Sequence, residues 1–250
     1  MKFILALTIL SVSAVAYAGG VSGRVVVVGD VPAAEPLPPG KDVCCQEAGP
    51  VDERVVVGPE GGLANVFVSV EPRRGEPQPP AASDVANSGP NEPVTLTNHG
   101  CAFSPRALMV RVGQPLVLAN SDPTMHNVDI NFVRNRSVNV VVEPDGERRI
   151  DLQKPESRPV AVRCNVHTYM RAWIMVRDDP HAAVTDKTGR FELPDLPPGE
   201  WRLRFWREGQ PLVGLAVGDQ STDDRGEAVL TIPNDGLDLR DLKVAADTLR

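Results

Sequence analysis

The chain has 250 residues, 42% of them hydrophobic but only 4% aromatic, and a formal net charge of −7 at pH 7. That is enough apolar material for a sizeable core in one or two domains, and an acidic balance without a basic patch argues against a nucleic-acid-binding face. With 24 Pro and 21 Gly, and short Val-rich runs bounded by turn residues, the chain is expected to be all-β.

Residues 1–18 read as a secretory signal. Lys2 is the positive end, Phe3 to Ala16 the apolar stretch, and Ala16-Tyr17-Ala18 a small-x-small cleavage site before Gly19. The apolar stretch is short beside the roughly 20 residues of a membrane-spanning helix. Cleavage removes Lys2 and takes the net charge from −7 to −8. The mature chain is expected to be periplasmic or secreted and not membrane-spanning.

After Gly19, the run Val21 to Asp30 reads as a strand ending in a turn, followed by a Pro-rich stretch and the adjacent pair Cys44-Cys45. Strands are expected at Arg54–Val57 and Ala64–Val70. Residues 76–92, rich in Pro, Ser, Asn and Gly, have the composition of a linker. From residue 93 to 177 short strands recur at the spacing of a Greek-key sandwich: Val94–Thr97, Ala107–Val112, Pro115–Asn120, Asn127–Ile130, Ser137–Val142, Glu147–Leu152, Pro159–Cys164 and Ala172–Arg177.

The stretch Cys164-Asn165-Val166-His167-Thr168-Tyr169-Met170 places a thiolate, an imidazole and a thioether within two short steps. One more imidazole, from His126, completes the ligand set of a mononuclear copper electron-transfer site. Strand alternation agrees. Val160, Val162 and Cys164 share one face of their strand, and His126, Val128 and Ile130 share one face of theirs. Each candidate ligand thus ends an apolar stripe. Core or surface histidines with an inert thiol, and a zinc site, are the competing readings; structural zinc favours several thiolates and needs no thioether.

Residues 93–177 resemble the cupredoxins, the blue-copper carriers that include plastocyanin, azurin and amicyanin. The resemblance rests on Phe103-x-Pro105, Leu108-x-Val110-x-x-Gly113-Gln114, Asn120-Ser121-Asp122, His126-Asn127 and Cys164-x-x-His167-x-x-Met170. It implies one type 1 copper with His126, Cys164 and His167 as equatorial ligands and Met170 as the axial one. It also implies that Asn127 ties the ligand loops together, and that electrons leave through an exposed His167 beside Thr168 and Tyr169. The longer chain is similar to methylamine-utilisation-type exported proteins. Arg106 stands where these often carry His, and the sequence assigns it no role.

Export permits disulfides. Cys101 is a candidate partner for Cys44 or Cys45, which leaves one cysteine over. The same three cysteines with His99 are also a candidate second metal group.

Beyond Arg177, Val184–Leu193 and Leu196–Phe205 read as a hairpin pattern with turns at Gly189 and Pro197-Pro198-Gly199. This resembles the closing half of a transthyretin-like, carboxypeptidase-regulatory-like sandwich whose opening half is similar to Val21–Val25 and Ala64–Val70. The expected division is residues 19–75 and 178–250 for that sandwich, with the cupredoxin at 93–177 inserted; the alternative adds the N-terminal strands directly to the cupredoxin. Glu227–Ile232 is one more strand, and Leu239, Leu242, Ala246 and Leu249 are spaced as a short helix.

The expected function is single-electron transfer to a redox protein, with a basic partner such as a cytochrome c suited to the acidic chain. Copper binding or delivery without electron transfer, and a carbohydrate or adhesion module, are the alternatives. Four His in total leave little room for a second, catalytic copper, so no enzyme activity is expected.

Overall fold

The computed structural model describes residues 19–31, 33–79 and 92–249. The expected signal at 1–18, and residues 80–91 of the expected linker, lie outside the described residues. In chain order the elements begin with β1 (Gly20–Val28), helix α1 (Val43–Ala48) and β2 (Phe67–Val70). Next come β3 (Val94–His99), β4 (Ala102–Ser104), β5 (Ala107–Arg111), β6 (Pro115–Asn120), β7 (His126–Ile130), β8 (Val138–Val142), β9 (Glu147–Asp151), β10 (Val160–Arg163) and β11 (Arg171–Arg177). The last group is β12 (Ala182–Val184), β13 (Arg190–Pro194), β14 (Gly199–Arg207), β15 (Gln210–Pro211), β16 (Ala216–Val217), β17 (Gln220–Ser221), β18 (Glu227–Ile232) and β19 (Leu237–Ala245).

The strands form four sheets that stack as two sandwiches, so the fold is all-β. One sandwich joins the sheet β4-β3-β6-β9 to the sheet β5-β11-β10-β7-β8. Its core holds Leu96, Leu118, Val128, Ile130, Val162 and Ile174, with Cys164 and Met170 at one end. Burying one such aliphatic side chain contributes about 1.5–3 kcal/mol. The other joins β13-β1-β19-β16-β17 to a sheet of β12-β2-β14-β15 in which β18 also pairs with β14. Its core draws on Val25, Leu63, Val68, Leu193, Phe205, Leu230 and Leu242, from both ends of the chain. β2 and β12 lie side by side, Ser69 opposite Ala182 and Phe67 opposite Val184. The chain thus leaves this sandwich and re-enters it at neighbouring positions.

Three sequence expectations are corrected. β13 pairs with β1 while β12 and β14 belong to the opposite sheet, so the turns at Gly189 and Pro197-Pro198-Gly199 carry the chain between sheets and make no hairpin. Gly189 has φ +80, and a Cβ there would lie 2.2 Å from the Val25 carbonyl oxygen, so the crossing needs glycine. Arg54–Val57 is irregular, held by a lone bridge from Val57 to Leu63 and by a bond from the Arg207 guanidinium to the Arg54 carbonyl. The apolar tail is mostly strand, with a 3₁₀ turn only at Ala246–Leu249. The β1–β19 register shifts between Ser22 and Arg24, and Arg240 sits at φ 55. That bulge inserts an extra residue between Leu239 and Leu242, which turns a period of two into an apparent helical spacing.

The sandwiches meet through buried Phe67, Ala107, Met175 and Trp206, with Trp173 edge-on to Trp206 at 4.9 Å between ring centres. Across this junction Arg106 makes a two-pronged pair with Glu208, at 2.7 and 2.8 Å. Trp173 Nε1 donates to the same carboxylate at 3.3 Å. Arg106, without a role in the sequence, is a clamp between the two sandwiches.

Candidate metal centre

β7 and β10 are neighbours, Val162 opposite Ile130, and β10 pairs with β11 so that Arg163 faces Arg171. The loop of residues 164–170 closes that last pair. Cys164 therefore follows the end of one strand, Met170 precedes the start of the next, and His126 opens the strand alongside. The loop is tight: the Met170 amide donates to the His167 carbonyl at 2.9 Å and the His167 amide to Cys164 Sγ at 3.3 Å.

The ligand atoms of His126, Cys164 and His167 all lie within 4.8 Å of one another, and all three residues are buried. The two Nδ1 atoms are 3.1 Å apart, and Cys164 Sγ is 3.8 Å from His167 Nδ1. Met170 is 2% exposed and shares the core cluster of Cys164. Each histidine presents its other nitrogen to a carboxylate, His126 Nε2 to Asp122 at 2.8 Å and His167 Nε2 to Asp42 at 2.6 Å. A carboxylate accepts the N–H of Nε2, so in the neutral ring each Nδ1 carries a lone pair turned into the pocket. Burial lowers the His126 pKa, outweighing the opposite pull of Asp122, so its ring is held neutral. Two lone pairs and a sulfur converging at these distances fit a soft or borderline cation bound by nitrogen and sulfur, and copper(I)/(II) matches that donor set. Burial, with the negative charges of Cys164 and Asp42 nearby, pushes the Tyr169 phenol up to about 12, so it stays protonated beside the site.

The supporting shell is built from side chains that hold backbone. Asn127 Nδ2 donates to Asn139 Oδ1 at 2.7 Å, and its Oδ1 accepts from the Asn165 amide at 3.1 Å. It thereby joins β7 to the ligand loop. Asp122 accepts the amides of Gly100 and Cys101 at 2.6 and 2.9 Å. Asn120 holds Asp122 in turn, its Oδ1 accepting the Asp122 amide at 3.0 Å. Asp42 and Asp122 were not recognised as histidine partners in the sequence. The only local sign is that Asp122 stands four residues before His126.

His167 is not the exposed exit that the resemblance implies. It is 3% exposed. The segment around α1 lies over it: Asp42 takes its Nε2, Cys45 Sγ approaches the same nitrogen at 3.6 Å, and Tyr169 reaches the Pro39 carbonyl at 3.5 Å. Cys45 is bonded to Cys101, with Cα atoms 5.4 Å apart, which staples the segment to the β3–β4 turn. Cys44 and Cys164 are free thiols. His99, grouped with the three cysteines in the sequence, instead turns Nδ1 to Ser121 Oγ at 3.1 Å. Exposed apolar side chains at this pole include Met125 and Val166, each next in sequence to a candidate ligand, and Val43 beside Asp42.

No family model and no curated protein matches the chain. Solved structures do match parts of it. A copper-containing nitrite reductase from Thermus scotoductus SA-01 is 24% identical over 34% of this chain and 22% of its own length, with a TM-score of 0.31. An amicyanin variant in the Cu(I) state is 15% identical over 44% of this chain and 98% of its own, with a TM-score of 0.31. A purple cupredoxin from Nitrosopumilus maritimus is 16% identical over 34% of this chain and 99% of its own, with a TM-score of 0.29. At these scores the functional reading rests on the site itself.

Proposed function

We propose that this chain is an exported cupredoxin-type protein that holds one type 1 copper on His126, Cys164, His167 and Met170 and passes single electrons between redox partners. The observation that carries the reading is the convergence of two Nδ1 lone pairs and one cysteine sulfur, with each Nε2 fixed by a carboxylate. Copper supplies a one-electron couple there. The chain's own part is to fix both histidine tautomers, to exclude water around Cys164 and to tie the ligand loops together through Asn127. Residues 93–177 are the copper-bearing unit in this reading, inserted in a regulatory-like sandwich of residues 19–75 and 178–250. Residues 1–18 direct export to the periplasm.

With His167 covered, the docking face we propose is the exposed apolar pole around Met125 and Val166. The net charge, −7 over the full sequence and one unit more negative once Lys2 is removed, suits a basic redox partner such as a cytochrome c, with association that weakens as salt rises. The test is an absorption spectrum of mature protein after Cu(II) addition, beside Cys164→Ser. An intense visible band, bleached by reductant and missing in the variant, supports the reading; its absence from folded protein ends it.

The cover over His167 favours one second reading, a copper-holding protein without electron transfer. Stopped-flow reduction of the copper-loaded protein by a basic cytochrome separates the two. Salt-dependent transfer within milliseconds supports the carrier, and copper release without transfer supports the holder.

A further inference from the structure

Three cysteines meet beside the candidate copper pocket, and the copper reading uses none of them. Cys44, Cys45 and Cys101 have their sulfur atoms within 4.8 Å of one another. Cys44 Sγ stands 3.9 Å from Cys45 Sγ and 3.9 Å from Cys101 Sγ. Thiolate–metal bonds run about 2.3 Å, and three such bonds in a trigonal arrangement put the sulfurs about 4 Å apart. Two of the three edges of a trithiolate site thus already have the right length. The third is the covalent Cys45–Cys101 link. We propose that, once this disulfide is reduced, Cys44, Cys45 and Cys101 bind a Cu(I) ion, as a second metal site next to the first. This goes beyond the electron-transfer reading and does not depend on it.

The surrounding backbone keeps the three sulfurs together without the covalent link. Cys101 sits at φ 56 in a turn whose amides are held by the Asp122 carboxylate. Cys45 lies in α1, its amide donating to the Asp42 carbonyl at 3.1 Å and its carbonyl accepting from Gly49 at 3.3 Å. Asp42 itself is anchored on His167. Cys45 and Cys101 are buried, while Cys44 is half-buried. The trio is therefore closed on the protein side and open to an arriving ion on the Cys44 side. Three soft sulfurs select Cu(I) over hard cations.

The chemistry balances with a dithiol reductant. The dithiol gives two electrons and two protons to Cys45–Cys101 and becomes a disulfide, leaving two thiols beside Cys44. Cu(I) then binds the three sulfurs and displaces their protons to water, with no change in its own oxidation state.

The decisive experiment titrates mature protein anaerobically with Cu(I) against the chromogenic chelator bicinchoninate, before and after reduction by a phosphine. The expected stoichiometry is one equivalent for disulfide-intact protein and two for reduced protein. Cys44→Ser leaves the disulfide and its fold in place, and in this variant the reduced protein is expected to return to one equivalent. Cys164→Ser is expected to remove one equivalent from both states, so failure of the first site and failure of the second are read separately. X-ray absorption of reduced Cys164→Ser with one Cu(I) is expected to show sulfur neighbours alone. Reduced wild type that binds no more Cu(I) than the disulfide-intact protein, or reduced Cys44→Ser that still gains an equivalent on reduction, overturns the proposal.

Discussion

The clamp between Arg106 and Glu208 makes a quantitative prediction about how the two sandwiches are held. Both side chains are 10% exposed, so the 0–1 kcal/mol typical of surface pairs underestimates this one. Removing one partner of a fully buried pair costs about 3–5 kcal/mol, because the other charge is left stranded. Glu53 lies 3.8 Å from Arg106 and is 41% exposed, so some solvent screening and a substitute partner remain. Arg106→Met is therefore expected to cost about 3 kcal/mol. Glu208→Gln keeps an acceptor for Trp173 Nε1 and is expected to cost about 2 kcal/mol. With both changes no charge is stranded, and the double variant should fall short of the summed losses by about 2 kcal/mol. Urea unfolding followed by tryptophan fluorescence reads this directly, since Trp173 and Trp206 lie in the junction. Strict additivity of the two losses, or single losses below about 0.5 kcal/mol, would refute the argument that the pair is desolvated and coupled.

Three further outcomes are expected. Asp42→Ala removes the carboxylate that fixes the His167 tautomer. It should weaken copper binding about tenfold, at the low end for such outer partners because Asp42 is 41% exposed, as measured by chelator competition. Met170→Leu should keep the visible thiolate band but raise the reduction potential in voltammetry, because a carbon gives no electron density to Cu(II). Burial pushes the Glu227 carboxyl up, but the guanidinium groups of Arg204 and Arg73 outweigh it and hold its pKa below the usual 4.5. Its folded pKa is depressed, so its contribution to stability is present above about pH 4.5 and is lost as pH falls through the folded value. Glu227→Gln should flatten that part of the stability curve in acid titration.

Strand positions were the most legible feature because the alternation is strong where one face is buried. Pro115–Asn120 and Glu227–Ile232 are strands with the bounds the sequence predicts, and β8, β9 and β11 differ by a residue at one end. Sheet membership after residue 182 was less legible. A turn signal at Gly189 marks a reversal, but a crossing between sheets and a hairpin use the same residues. In the tail, a single bulge at Arg240 shifted the apolar period and imitated a helix. At the site, Cys164, His167 and Met170 could be grouped because they are near neighbours in sequence. The cover over His167 could not be seen, since Asp42 and Cys45 come from a Pro-rich stretch more than a hundred residues away. Arg106 was equally opaque: its partner Glu208 is distant in sequence and belongs to the other sandwich.

The neighbouring exit and return at β2 and β12 also bear on the order in which the molecule assembles. β1 pairs antiparallel with β13, Val21 facing Leu193, and in parallel with β19, Val21 facing Leu237, so one sandwich waits for residues 190–245 before its first strand has both partners. The other needs only the contiguous stretch from β3 to β11. Contacts of short sequence separation form sooner than distant ones, and the cost of closing a loop depends on how far apart its ends must be held. Once residues 94–177 have condensed, their two ends emerge close together, and the chain between Val70 and Ala182 behaves as a short connection. The sandwich of β3 to β11 would thus act as a folding template for the other, bringing β2 and β12 together before β1 finds β19.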